Sequence, residues 1–132
     1  MSEPNERTDH SIWPSLSCDD AAAMRAWLQG LGFEPGIEVP DERPGLIRHS
    51  ELLWPEGGRV MVCSRGKSDP TFETAGVVSI YVVTSEPDAI QARAEELGAQ
   101  FVRRIQETDY GSRDFAVRDP EANLWCFGTY AG

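Results

Sequence analysis

The stretch Trp13-Pro14-Ser15-Leu16-Ser17-Cys18-Asp19-Asp20-Ala21-Ala22-Ala23-Met24-Arg25-Ala26-Trp27-Leu28-Gln29-Gly30-Leu31-Gly32 decides the fold, because the chain repeats its pattern 66 residues later. Met24 falls on Ile90, Leu28 on Ala94, Leu31 on Leu97 and Gly32 on Gly98. With nearly the same shift, Trp54-Pro55-Glu56-Gly57 lies over Asp119-Pro120-Glu121-Ala122. A repeat of this length is a duplicated supersecondary unit, not a solenoid.

Within the first copy, residues 11–18 read as a strand, and Pro14 places it at an edge or a bulge. Asp19 and Asp20 cap the helix that follows. Its residues Met24, Trp27, Leu28 and Leu31 share one apolar face, and Gly32 ends it. Residues 33–46, with three prolines and several acids, predict a short strand at best and then a loop. Residues 47–54 and 59–64 are strands joined by Pro55-Glu56-Gly57-Gly58, a hairpin signal.

The second copy has the same order. Residues 77–84 are an apolar strand, and Pro87 starts a helix with inner face Ile90, Ala94 and Leu97. A strand over about 101–105 follows, then a hairpin of 113–117 and 124–129 around a turn at 119–123. Each copy is therefore βαβββ. The predicted fold class is α+β: paired βαβββ modules form a curved, mostly antiparallel sheet cup, with helices on the outer face. Residues 1–10 read as a disordered tail and 11–132 as one domain, with modules about 11–65 and 76–130 and a linker at 66–75.

Composition narrows the function. The chain has 132 residues, 40% of them apolar, enough for one core. Its formal net charge of −10 argues against nucleic acid and anionic membranes. No apolar run is long enough to span a bilayer, and residues 1–10 lack the features of a signal peptide. Three cysteines, an odd and scattered set, form neither a disulfide framework nor a zinc knuckle and fit a reducing cytoplasm.

The chain resembles the vicinal oxygen chelate superfamily of glyoxalases, bleomycin-resistance proteins and dioxygenases, in particular its PhnB-like, glyoxalase-type branch. The residues that carry the resemblance are Ile12-Trp13-Pro14-Ser15-Leu16 with Asp19-Asp20-Ala21, and His49-Ser50-Glu51-Leu52. The most specific are Asp109 to Arg113, Arg118-Asp119-Pro120-Glu121-Ala122-Asn123-Leu124-Trp125 and Phe127 to Tyr130. Ala122 departs from the glycine usual there, and Asn123, which tolerates left-handed geometry, is expected to compensate.

The resemblance implies ligand positions on four strands, filled in the metalloenzymes by His, Gln or Glu. Here they fall on Trp13, on Met61 or Cys63, on Ser79 and on Cys126. Such a set does not suit the family's metals, so no metal and no cofactor are expected. The only histidines are His10, in the tail, and His49.

The same positions and their neighbours are candidates for ligand contact. Trp13 either stacks on a flat ligand or fills the core. Trp54 either rims a cavity or caps the sheet. Ser79 and Tyr81 share a face and offer hydroxyls. Tyr110 and Arg113 lie at the entry to a strand, where Arg113 either holds an anionic group or anchors a loop through an acid such as Asp109. Phe115 packs the core or lines the pocket. Cys126 has no base near it in sequence, and an inert thiol is expected. His49 and Glu51, at i and i+2, are the catalytic candidates, or else a solvated pair among Arg48, Arg59 and Arg65.

Three functions compete. The first is a metal-free binder of a small organic molecule, aromatic or cationic, of the drug- or metabolite-sequestering, antibiotic-resistance kind. The second is a divergent lyase, isomerase or dioxygenase-like enzyme, metal-dependent or using His49 and Glu51. The third is a domain that acts through protein contacts. The resemblance also implies a homodimer, with or without exchange of halves through residues 65–75.

Overall fold

Asp20 starts the first helix by accepting a hydrogen bond from the Ala23 N–H at 3.0 Å. A computed structural model describes residues 12–69, 77–109 and 111–131. The chain divides into two units, residues 1–74 and 75–132.

In the first unit the elements are β1 (Ser15–Cys18), α1 (Ala21–Leu31), β2 (Glu34–Pro40), β3 (Ile47–Leu53) and β4 (Arg59–Ser64). Gly32, with φ of 117°, closes α1 in the left-handed region that favours glycine. The strand order is β1-β4-β3-β2, parallel between β1 and β4 and antiparallel elsewhere. α1 buries Met24, Leu28 and Leu31, and the sheet buries Leu16, Leu52, Val60 and Val62. These strand residues alternate with Ser15, Ser17, Glu51, Leu53, Arg59 and Met61, which therefore lie on the opposite, open face.

The first strand is shorter than its sequence suggests. It begins at Ser15, because Pro14 has no N–H to donate; the Pro14 carbonyl still accepts from Met61 at 2.9 Å. The stretch 33–46 departs further from expectation. Here β2 is a seven-residue strand paired with β3, with two register shifts. It is an edge strand, so its prolines cost no ladder bonds on the outer side, and its bulges erase the alternation that marks a strand in sequence.

The second unit repeats the plan with β5 (Ser79–Val83), α2 (Pro87–Glu96), β6 (Gln100–Glu107), β7 (Arg113–Arg118) and β8 (Leu124–Gly128). Its order is β5-β8-β7-β6, again with the first and last strands parallel. Ile90 and Ala94 of α2 are buried, as are Phe115, Val117, Trp125 and Phe127 of the sheet. The fold is the expected α+β pair of βαβββ modules, with two open four-stranded sheets.

The turn between β7 and β8 is built on Asp119. Its carboxylate accepts from the N–H groups of Glu121 (2.8 Å) and Asn123 (2.9 Å) and from the Asn123 amide (2.9 Å). It also accepts from the indole of Trp125 at 2.8 Å. Asn123 in turn accepts from the Val78 N–H at 3.0 Å, which ties the turn to the start of β5. Asp119 and Asn123 thus shape the turn, as their types predict. The left-handed residue is Ala122 itself, at φ of 73°, and not Asn123. A Cβ in that region is strained by about 1–2 kcal/mol, partly offset by the greater unfolded-state entropy of glycine. Ala122→Gly is therefore expected to stabilise the protein by ~0.5–1 kcal/mol in urea unfolding.

Candidate functional site

On the open face of the first sheet, a row of side chains crosses three strands. Trp13 precedes β1, Arg59 begins β4, and Glu51 and His49 lie on β3. The Arg59 guanidinium carbon sits 4.6 Å from the Trp13 ring centroid. The same guanidinium donates to Glu51 Oε1 at 2.6 Å, while His49 Nε2 lies 2.7 Å from Glu51 Oε2. Burial would raise the Glu51 carboxyl pKa, but the hydrogen bonds from His49 and Arg59, with their charges, outweigh it and lower it. Glu51 is therefore an ionised carboxylate gripped from both sides.

Met61 lies between Ser15 of β1 and Glu51 of β3 in the ladder. By alternation Cys63 shares this face, although it is only 5% exposed. The His49–Glu51 pair that the i, i+2 spacing suggested is thus formed, and its arginine partner is Arg59.

The open face of the second sheet carries Ser79, Tyr81 and Val83 of β5, Cys126 and Gly128 of β8, and Asp114 and Ala116 of β7. Arg103 of β6 joins them because of a register shift between Phe101 and Arg103, which turns it toward Ala116. Arg103 forms an ion pair with the buried Asp114 and donates to Cys126 Sγ at 3.7 Å. The Asp114 hydrogen bond raises the Arg103 pKa. Burial, then the Asp114 charge, raises that of the Cys126 thiol, against the opposing pull of Arg103. Cys126 is accordingly a protonated thiol and a poor nucleophile. Tyr81 donates to the Tyr130 carbonyl at 3.0 Å. Its hydroxyl lies within 2.6 Å of where a Cβ on Gly128 would stand, so the glycine is what makes room for it.

Other candidates stand elsewhere. Trp54 is buried and pairs with Phe33 at a centroid distance of 4.7 Å, so it is a core residue of the first unit. Phe115 is fully buried and stacked on Phe127 at 5.3 Å. Arg113 anchors structure: its guanidinium donates to Asp88 at 2.9 Å and to Glu107 at 3.0 Å, and Asp109 is not its partner. Tyr110 and His10 lie outside the described residues.

The donor set does not fit the metal that the resemblance implies. Trp13 offers an indole that donates but does not accept, Met61 a thioether, Ser79 a hydroxyl and Cys126 a thiol held protonated. Among the described residues, no three His, Cys, Asp or Glu side chains are grouped so as to hold a metal ion.

Two βαβββ modules with open mixed sheets and a helix on one face of each define an architectural class. Residues 9–127 match the Glyoxalase/Bleomycin resistance protein/Dioxygenase superfamily, and the chain belongs to it. Among solved structures it is similar to TioX from Micromonospora sp. ML1, at 28% identity over 96% of this chain and 99% of that one, with a TM-score of 0.75. It also shares the fold of a bleomycin resistance determinant encoded on the transposon Tn5, at 15% identity over 93% and 99%, with a TM-score of 0.68. Lactoylglutathione lyase from Agrobacterium tumefaciens shares it too, at 18% identity over 96% and 94%, with a TM-score of 0.64. No curated protein matches the chain. No helix among the described residues is long and apolar enough to cross a membrane.

Proposed function

We propose that this chain binds a small organic molecule without a metal ion and sequesters it. The observation that supports the reading is the chemistry at the family's ligand positions, where Trp13, Met61, Ser79 and Cys126 replace metal donors with apolar, sulfur and hydroxyl contacts. The fold is shared by a resistance determinant and a lyase, so fold alone does not choose between binding and catalysis. The net charge of −10 favours a neutral or cationic ligand. A homodimer accords with the superfamily, and the absence of a disulfide among Cys18, Cys63 and Cys126 accords with the cytoplasm.

A thermal-shift panel of neutral and cationic aromatic compounds tests this reading. At saturation a true ligand should raise the midpoint by several degrees, and salt should weaken a cationic one. If nothing in the panel shifts the midpoint while turnover of a glyoxalase substrate is measurable, the lyase or isomerase reading replaces it.

A further inference from the structure

Arg103 and Asp114 make an unequal pair. The Asp114 side chain is 1% exposed and that of Arg103 38%, so the cation can withdraw into solvent and the carboxylate cannot. The pair is also incomplete. The guanidinium Nη2 donates to Asp114 Oδ1, but among the described residues Asp114 Oδ2 and Arg103 Nε, both buried, have no hydrogen-bond partner. A buried carboxylate oxygen without a donor is costly, and native proteins leave few such atoms. Tyr81, Cys126, Ala116 and Arg103 stand level across β5, β8, β7 and β6. Arg103 reaches Cys126 Sγ across Ala116, whose methyl leaves room for it. The ladder partner of Asp114 on β8 is Gly128, which adds no side chain. The guanidinium therefore occupies a slot floored by small residues, with the 42% exposed Tyr81 on the far side of Cys126.

Resting on the binding reading above, we infer that Asp114 receives the primary ammonium group of a ligand, and that Arg103 is the counter-ion which this group displaces. In the free protein Arg103 keeps the buried carboxylate from standing alone, a state that proteins pay heavily to avoid. A primary ammonium carries three donors on one nitrogen, enough for both carboxylate oxygens, where the guanidinium serves one. The exchange swaps one cation for another at the carboxylate, so no buried charge is left unpaired, and no covalent bond is made or broken. An ammonium two carbons from an aromatic ring keeps that ring within one to two strand spacings of β7, ~5–10 Å, over Cys126 and Tyr81. The net charge of −10 raises the local concentration of such cations. A site that completes a buried acceptor discriminates against an analogue without the N–H donors, even one of equal charge.

The test uses three probes that share one ring: tryptamine, its N,N,N-trimethylammonium derivative and the corresponding alcohol, tryptophol. The second keeps the charge without N–H donors, and the third lacks the charge. Isothermal titration of the full chain is expected to give about tenfold tighter binding of tryptamine than of either analogue. In Asp114→Asn that preference should fall to about twofold or less. In Arg103→Met, which removes the competing cation, tryptamine should bind at least about threefold tighter than to the wild type. Circular dichroism establishes that each variant is folded. Nitrogen-15 NMR reads the exchange in the wild type itself: the Arg103 Nε–H, identified by its absence in Arg103→Lys, should exchange faster with water once tryptamine is added. Equal binding of the three probes, a preference that survives in Asp114→Asn, or an Arg103 Nε–H signal unmoved by bound tryptamine would each overturn the inference and leave the binding reading standing. So would unchanged or weaker tryptamine binding by folded Arg103→Met. Failure of all three probes to bind overturns the inference; failure of the whole aromatic panel as well overturns the binding reading.

Discussion

Asp119→Ala is expected to lower the unfolding free energy by about 3–4 kcal/mol, the largest loss of any single truncation considered. Asp119 is 6% exposed, and its carboxylate collects bonds from two backbone N–H groups, the Asn123 amide and the Trp125 indole. Trp125 is fully buried, so its N–H cannot turn to water once the acceptor is gone. A buried donor without a partner costs about 1–3 kcal/mol, and here several are stranded together. Asp119→Asn, which keeps one acceptor oxygen, should lose roughly half as much. Urea unfolding reads both; a loss below about 1 kcal/mol in Asp119→Ala would show that the turn holds itself without the carboxylate.

Gly128→Ala is expected to cost about 2–3 kcal/mol through overpacking. The added Cβ would stand 2.6 Å from the Tyr81 hydroxyl, 2.7 Å from Asp114 Cβ and 3.1 Å from Ser112 Oγ. The tyrosine ring can swing away, but Asp114 Cβ belongs to the neighbouring strand β7, whose register with Gly128 is fixed. The double variant Gly128→Ala, Tyr81→Phe should therefore recover only part of the loss. Full recovery would assign the clash to the hydroxyl alone and contradict the packing described for this face. The substitution also displaces Tyr81 from the open face of the second sheet.

Both effects arise from residues whose types were readable in the sequence, and the difference between them is instructive. Asp119 announced itself, because Asp-Pro-Glu-Ala-Asn is a turn sequence and a carboxylate there has nearby N–H groups to cap. Gly128 did not: a glycine inside a strand signals a close approach without saying what approaches. The helices were legible because Met24, Leu28 and Leu31 recur at helical spacing and Asp20 and Gly32 mark the ends. β2 was not, since an edge strand with two prolines and two register shifts carries no alternation.

The site was legible in proportion to how local its contacts are. His49 and Glu51, two residues apart on one strand, could be paired from spacing alone. Arg59 reaches Glu51 only through the register of β3 on β4, which the hairpin sets and the sequence does not print. Arg103 faces Asp114 and Cys126 because a bulge reverses its parity in β6, so simple alternation would have pointed it the wrong way. Trp54 and Phe115, aromatic and near the site in sequence, lie in the cores because their neighbours Phe33 and Phe127 need partners there.

The central claim is that this member of the superfamily works without a metal. Elemental mass spectrometry on untagged protein purified without chelator tests it most directly. The expected result is well under ~0.1 equivalent of any transition metal per chain, with no thermal shift on adding nickel, zinc, manganese or iron. About one equivalent of a single transition metal, removed by chelator with loss of thermal stability, would contradict it.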